Sequence, residues 1–310
     1  NKVNGDWACE NDFLMNQVLK RDWGYQGWVM SDWGGVHSTA KAALAGLDQE
    51  SGQELDSQIF FGAPLKAAVE SGAVPEARID DMVARFLTGL IEAGVLDNPV
   101  PEHPQPIPYD VHADVAQRAA EAGIVLLKNE GDILPLATVA QKIVLIGGHA
   151  DVGVLSGGGS SQVRSVGGVP IEVPLTEGAA MSFARLTYHN SSPMRALQAA
   201  LPNAQISFIE GSDPAAAAKA AADADLAIVF ATQWTTEAQD VHDIKLPDGQ
   251  DALIAAVAAA QPKTVAVMET GGPVLMPWID SVPAVLQAWY PGQRGGEAIA
   301  NLLTGRVNPS

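Results

Sequence analysis

The 310-residue sequence carries 18 Lys and Arg against 36 Asp and Glu, a formal net charge of −18. That balance leaves no basic surplus to displace counterions, which argues against a phosphate-backbone partner, so no nucleic acid is expected. Apolar residues make up 47% and charged residues 17%, an ordinary globular composition at a length of about two domains. No apolar run reaches a membrane span, and a soluble protein acting on a neutral ligand is expected. The single cysteine, Cys9, rules out an intrachain disulfide framework and reads as a small buried apolar residue.

Residues 10–23 read as a helix, with Phe13, Leu14, Val18 and Leu19 at helical spacing and Asn11 placed to cap it. Residues 27–31 follow as an apolar strand, after which Asp32 stands between Ser31 and Trp33, just before Gly34-Gly35. A strand that ends in an acid and a Gly turn puts that acid at its carboxyl edge, the catalytic face of a β/α barrel. Spacing alone leaves two readings for Asp32. It serves sugar chemistry, where a carboxylate attacks or stabilises an oxocarbenium-like centre, or it N-caps the next helix. Ser38 to Leu47 is Ala-rich and helical. The Gly46–Gly52 stretch reads as a short strand or loop, and Asp48, Glu50 and Glu54 either line a site or form a solvated cluster. Residues 63–96 read as two helices, the second with Ile79, Met82, Val83, Phe86 and Leu90 on one face. Five prolines between 97 and 110 make a stiff connector. The domains are therefore placed at 1–96 and 111–310, with 97–110 as linker.

Beyond the linker, strand and helix alternate. Helices are expected over 111–127, 193–201, 214–223, 249–260 and 294–304, and buried strands over 142–147, 205–209, 226–231, 264–269 and 285–289. That alternation means an α/β unit with a mostly parallel sheet covered on both faces. Gly157-Gly158-Gly159-Ser160-Ser161 lacks the spacing of a dinucleotide loop and the lysine of a phosphate loop, so a nucleotide binder is the weaker rival reading. His37, His103, His112, His149, His189 and His242 show no metal-ligand spacing, and neither a metal nor a cofactor is expected. Ser31 lacks the context of a nucleophile elbow. The stretch 231–240 begins where a buried strand ends, in the crevice beyond a parallel sheet's carboxyl edge.

Asn1-Lys2-Val3-Asn4-Gly5, Asn11 after Cys9-Glu10, Gly24-Tyr25-Gln26-Gly27 and Ser31-Asp32-Trp33 together resemble glycoside hydrolase family 3. Leu126-Leu127-Lys128-Asn129, Leu134-Pro135-Leu136 and Pro291-Gly292-Gln293 resemble its second domain, in the same order. The resemblance implies the C-terminal part of a (β/α)8 TIM-type barrel, then an α/β sandwich domain, in a segment that begins inside the barrel. Missing barrel strands are then expected from an upstream segment or a second chain.

The same resemblance implies that Asp32 is a nucleophile. It makes Glu237 the general acid/base, because Glu237, Asp240, Leu246-Pro247 and Gln250 keep the family's order. Ala238 stands where the family commonly has Gly, which leaves Asp240 and Asp243 as alternatives. Acid duty asks for a raised Glu237 pKa, through burial against apolar surface such as Trp234. Trp33 and Trp234 offer apolar faces to a sugar, or else pack in the core. The implied activity is that of a retaining β-glucosidase or exo-β-glucanase, releasing glucose from the non-reducing end of β-linked oligosaccharides at an interdomain cleft. The alternatives are a β-xylosidase or other β-glycosidase of the family and, outside enzymology, a non-catalytic carbohydrate-binding protein. Polymer-derived substrates of this kind imply a periplasmic or secreted location.

Overall fold

A computed structural model describes residues 1–56 and 58–310. It divides into two compact units, Asn1–Pro106 and Ile107–Ser310. In the first unit a two-stranded antiparallel ribbon, β1 (Lys2–Val3) and β2 (Asp6–Trp7), leads into a wide-turned π-type helix over Phe13–Asp22. Asn11 accepts from the Leu14 amide at 3.1 Å and donates to the Val3 carbonyl at 3.1 Å, so it caps that helix and ties it to the ribbon. Helices α1 (Ala40–Ala45), α2 (Ala63–Glu70) and α3 (Glu76–Glu92) follow. Val36, Ala42, Leu47, Phe60, Val74 and Met82 form the unit's buried core.

The strand expected over 27–31 is shorter than its apolar run. Val29 to Ser31 is extended and pairs in parallel with Asp48–Gln49, through Ser31 N to Gln49 O at 2.9 Å and Asp48 N to Val29 O at 2.9 Å. Helix α1 lies between the two segments in sequence, which makes a short strand–helix–strand crossover. Met30 and Trp33 are exposed, so Val29–Ser31 is not covered on both faces within this unit.

The second unit opens with α4 (Tyr109–Gly123), and the expected helix over 111–127 ends there. Residues Val125–Asn129 form strand β3 instead, antiparallel to a later strand. The switch follows the chemistry, because β-branched Ile124 and Val125 come directly after Gly123. The strands that follow are β4 (Lys142–Ile146), β5 (Val154–Ser156), β6 (Ile171–Pro174) and β7 (Arg185–His189). Then come α5 (Pro193–Ala200), β8 (Gln205–Ile209), α6 (Pro214–Ala222), β9 (Leu226–Gln233) and α7 (Gln250–Ala260). The chain closes with β10 (Thr264–Thr270), β11 (Ala284–Gln287) and α8 (Gly295–Leu303).

Six of these strands build one sheet in the order β3-β11-β10-β9-β4-β8, parallel except for β3. Alternation along β9 sorts its two faces. Leu226, Ile228 and Phe230 pack with α5 and α8 residues such as Leu197 and Ile299, whereas Ala227, Val229 and Ala231 pack with α6 and α7 residues such as Ala217 and Ile254. The helix starts are fixed by their caps: Ser192 accepts from Arg195 N before α5, and Asp213 accepts from Ala215 N and Ala216 N before α6, each with Pro at the first helical position. This is a three-layer α/β unit with a mixed, mostly parallel sheet. A small antiparallel sheet, β5-β7-β6, stands apart from the main one and was not expected from the sequence. β5 is three residues long and β6 ends in a proline, too little pattern for periodicity to register.

Candidate functional site

In the first unit the segment before Asp32 is held by a buried ionic cluster. Asp48 accepts from Lys20 Nζ at 2.8 Å, Arg78 Nη2 at 2.6 Å and the Val29 amide at 2.8 Å. Its side chain is only 1% exposed, so its charge is fully partnered inside the fold. Glu50 accepts from the amides of Phe60 and Phe61, the latter at 2.6 Å, while Glu54 is exposed. The acidic cluster of 48–54 is therefore neither one solvated loop nor one site: two of its members are anchors. Burial and the neighbouring Glu50 push the Asp56 carboxyl above its ordinary range.

Asp32 itself is exposed and accepts from the Trp33 amide at 2.8 Å. It does not cap α1, which begins at Ala40 and receives a side-chain oxygen from Ser38 at the Ala42 amide. The helix-cap reading of Asp32 is thus replaced by a free carboxylate on a tethered turn. Trp33 is 66% exposed, with its ring over Gly52, where a Cβ would lie 2.6 Å from ring carbons. It is a surface ring on a rigid seat.

In the second unit Glu237 follows the carboxyl end of β9. Its Oε2 accepts from Ser160 N at 2.7 Å and Ser160 Oγ at 2.5 Å. These two donors hold the exposed Glu237 carboxyl below its ordinary pKa, contrary to the raised value expected from burial against Trp234. Gly158 and Gly159 leave the room for this approach. A Cβ on Gly158 would stand 2.4 Å from the Trp234 ring, and Gly159, at φ +100°, would place one 2.5 Å from Glu237 Cβ. Gly158 N also donates to Thr235 O at 2.9 Å. The glycine loop and the Glu237 loop therefore lie against each other as one object.

Trp234 is half-buried between two cavities. One, of about 470 Å³, lies beyond the ends of β4, β8 and β9 and is lined by His149, Tyr188, Glu210, Thr232 and Asp248. The other, of about 450 Å³, is lined by Thr235, Gln239, His242 and Leu246. Among the described residues, Trp234 Nε1, Thr236 Oγ1 and Gln239 Oε1 are buried without a hydrogen-bond partner, a concentration of unsatisfied polar atoms in one short loop. Asp240 and Asp243 are exposed on the same loop. Glu269, fully buried at the end of β10, accepts from Leu155 N at 2.6 Å, and burial pushes its carboxyl up to about 8.

Residues 124–310 match the description "Glycosyl hydrolase family 3 C-terminal domain". The chain belongs to glycosyl hydrolase family 3. It is 35% identical over 340 residues to "Probable beta-glucosidase L" of Aspergillus terreus, an alignment covering all of this chain and 45% of that protein. It is 34% identical over 325 residues to "Thermostable beta-glucosidase B" of Acetivibrio thermocellus, covering all of this chain and 39% of the relative. Among solved structures, beta-glucosidase D2-BGL from Chaetomella raphigera superposes with a TM-score of 0.82 at 30% identity, over all of this chain and 46% of that one. The chain thus spans less than half the length of these three relatives.

Within this family 3 chain, sequence reasoning missed Ser160, the direct partner of Glu237, and Tyr290, whose hydroxyl touches the same loop. Ser160 sits in a glycine loop that read as structural. Among the described residues there is no group of three or more His, Cys, Asp or Glu arranged to hold a metal ion, and no helix long and apolar enough to cross a membrane.

Proposed function

We propose that this chain supplies both catalytic carboxylates of a retaining β-glucosidase that acts at the non-reducing end of β-glucosides. The observation that carries the reading is Glu237, presented at the carboxyl edge of a parallel sheet and gripped by Ser160. The family membership and the names of its relatives support it. Asp32 is the nucleophile: its carboxylate attacks the anomeric carbon while Glu237 gives a proton to the departing glycosidic oxygen. Water then attacks the same carbon, Glu237 takes its proton, and the bond to Asp32 breaks. The mechanism needs the two carboxyl carbons about 5–5.5 Å apart. Trp33 and Trp234 contribute apolar faces for the sugar ring.

The crossover from Val29 through α1 to Gln49 supports a place for Asp32 in a (β/α)8 barrel. One such pairing cannot close a barrel, so a working site requires further strands from sequence beyond residues 1–106, in cis or from a second chain. The substrate is a β-linked oligosaccharide, and a periplasmic or secreted location follows from that reading. Glu237→Ala tests it in the full-length protein. Hydrolysis of cellobiose is expected to fall by about 100-fold or more, with azide restoring turnover of dinitrophenyl glucoside and yielding β-glucosyl azide. An α-azide product, or no rescue, contradicts the assignment.

A further inference from the structure

The loop that carries Glu237 has two neighbours of different kinds. Ser160 holds the carboxyl itself. The backbone two residues earlier is held by Tyr290, which lies just past the end of β11 and reaches across to the exit of β9. The Tyr290 hydroxyl donates to Gln233 O at 2.7 Å and accepts from the Thr235 amide at 2.8 Å. Thr235 Oγ1 lies 2.9 Å away and completes the set. With its one hydrogen committed to Gln233, the phenol oxygen accepts both Thr235 donors, and its bonding capacity is filled.

Thr235 is thereby fixed from both sides, because its carbonyl accepts from Gly158 N at 2.9 Å. The Tyr290 ring has no slack. A Cβ on Gly157 would approach it to 2.8 Å, and one on Gly271 would approach it to 2.8 Å from another side. A half-buried phenol wedged between two glycines, with three hydrogen bonds to one turn, is a rigid strut. Burial raises the pKa of this phenol further above its ordinary value, so the hydroxyl keeps its proton over the working range.

We propose that Tyr290 is a positioning residue for the acid/base: it fixes the chain at Gln233 and Thr235 so that Glu237 meets both Ser160 and the glycosidic oxygen. The inference rests on the reading of Glu237 as acid/base. Losing the strut lets the turn relax and costs proton transfer, without touching the nucleophile. Substrates that need a proton on their leaving group therefore suffer most, and substrates with strongly activated leaving groups suffer least.

The test measures kcat/KM for a series of aryl β-glucosides of rising leaving-group pKa, in the full-length protein. Tyr290→Phe, Thr235→Val and Glu237→Gln are compared with the wild type. Tyr290→Phe is expected to lose about tenfold on cellobiose and less than about twofold on dinitrophenyl glucoside, a part of the full acid contribution. Its slope against leaving-group pKa should fall between wild type and Glu237→Gln. Thr235→Val keeps the phenol and the backbone amide and should steepen the slope less; it decides the matter if Tyr290→Phe does not fold. A uniform loss across the series, or a wild-type slope in both variants, overturns the proposal while a steep Glu237→Gln leaves the acid/base reading standing. A flat Glu237→Gln series removes that reading and the proposal with it.

Discussion

In the proposed cycle Glu237 must hold a proton in the first step and lack one in the second, and its surroundings weigh on only one side. Both Ser160 donors favour the carboxylate, which suits the base step and opposes the acid step. The sign of the consequence is fixed. Removing the hydroxyl leaves the anion less stabilised, so the Glu237 pKa rises, and the basic limb of kcat/KM, where the protonated acid is lost, moves to higher pH. Ser160→Ala should show that shift in a pH–rate profile with an unactivated substrate; a limb that stays put or moves down would show that Ser160 does not set this pKa. Glu269 faces the opposite environment, fully buried with one carboxyl oxygen unpartnered among the described residues, and it is the burial that raises it.

At the scale of elements, the second unit depends on β9 delivering its exit loop and the first depends on Asp48 delivering Val29–Ser31. Asp48 ties three pieces together: the helix over Phe13–Asp22 through Lys20, α3 through Arg78, and the extended segment through the Val29 amide. Replacing it leaves buried Lys20 with no carboxylate partner, Arg78 with Asp81 alone, and the Val29 amide without its acceptor. Asp48→Ala should destabilise the unit by about 3–5 kcal/mol, the usual cost of breaking a buried pair, read as a lowered denaturant midpoint; a change under about 1 kcal/mol, as for a surface pair, would contradict that role.

The same elements show what the sequence could disclose. β4, β9 and β10 were legible because each is a buried apolar run, and the cores on both faces bear this out; β8 forms where expected but, as the edge strand of the sheet, is only partly buried. β3 was not, because Gly123 and the β-branched Ile124-Val125 are a brief signal after the helical run of α4, and the strand is completed by pairing with β11. The small sheet escaped for want of length. Asp32, Trp33, Trp234 and Glu237 stood out by their place after apolar runs and by family resemblance. Ser160 and Tyr290 are tied to Glu237 and Thr235 only by tertiary contacts, at separations of 77 and 55 residues. Nor did local composition reveal that Asp48 is a buried anchor, since its partners Lys20 and Arg78 lie on other elements.

For the molecule as a whole, the family is settled by the match over 124–310, and the net charge of −18 agrees with the proposed neutral sugar substrate rather than a polyanion. In the proposed enzyme one chain carries the nucleophile and the acid/base on two compact units. A mechanism-based label tests it most directly. Incubation of the full-length protein with dinitrophenyl 2-deoxy-2-fluoro-β-glucoside traps the glycosyl-enzyme, because the fluorine slows its hydrolysis more than its formation once the leaving group is good. Mass spectrometry with peptide mapping should find a single fluoroglucosyl adduct on the peptide containing Asp32. An adduct on any other carboxylate, or inactivation-free turnover with inversion at the anomeric carbon, would contradict the account.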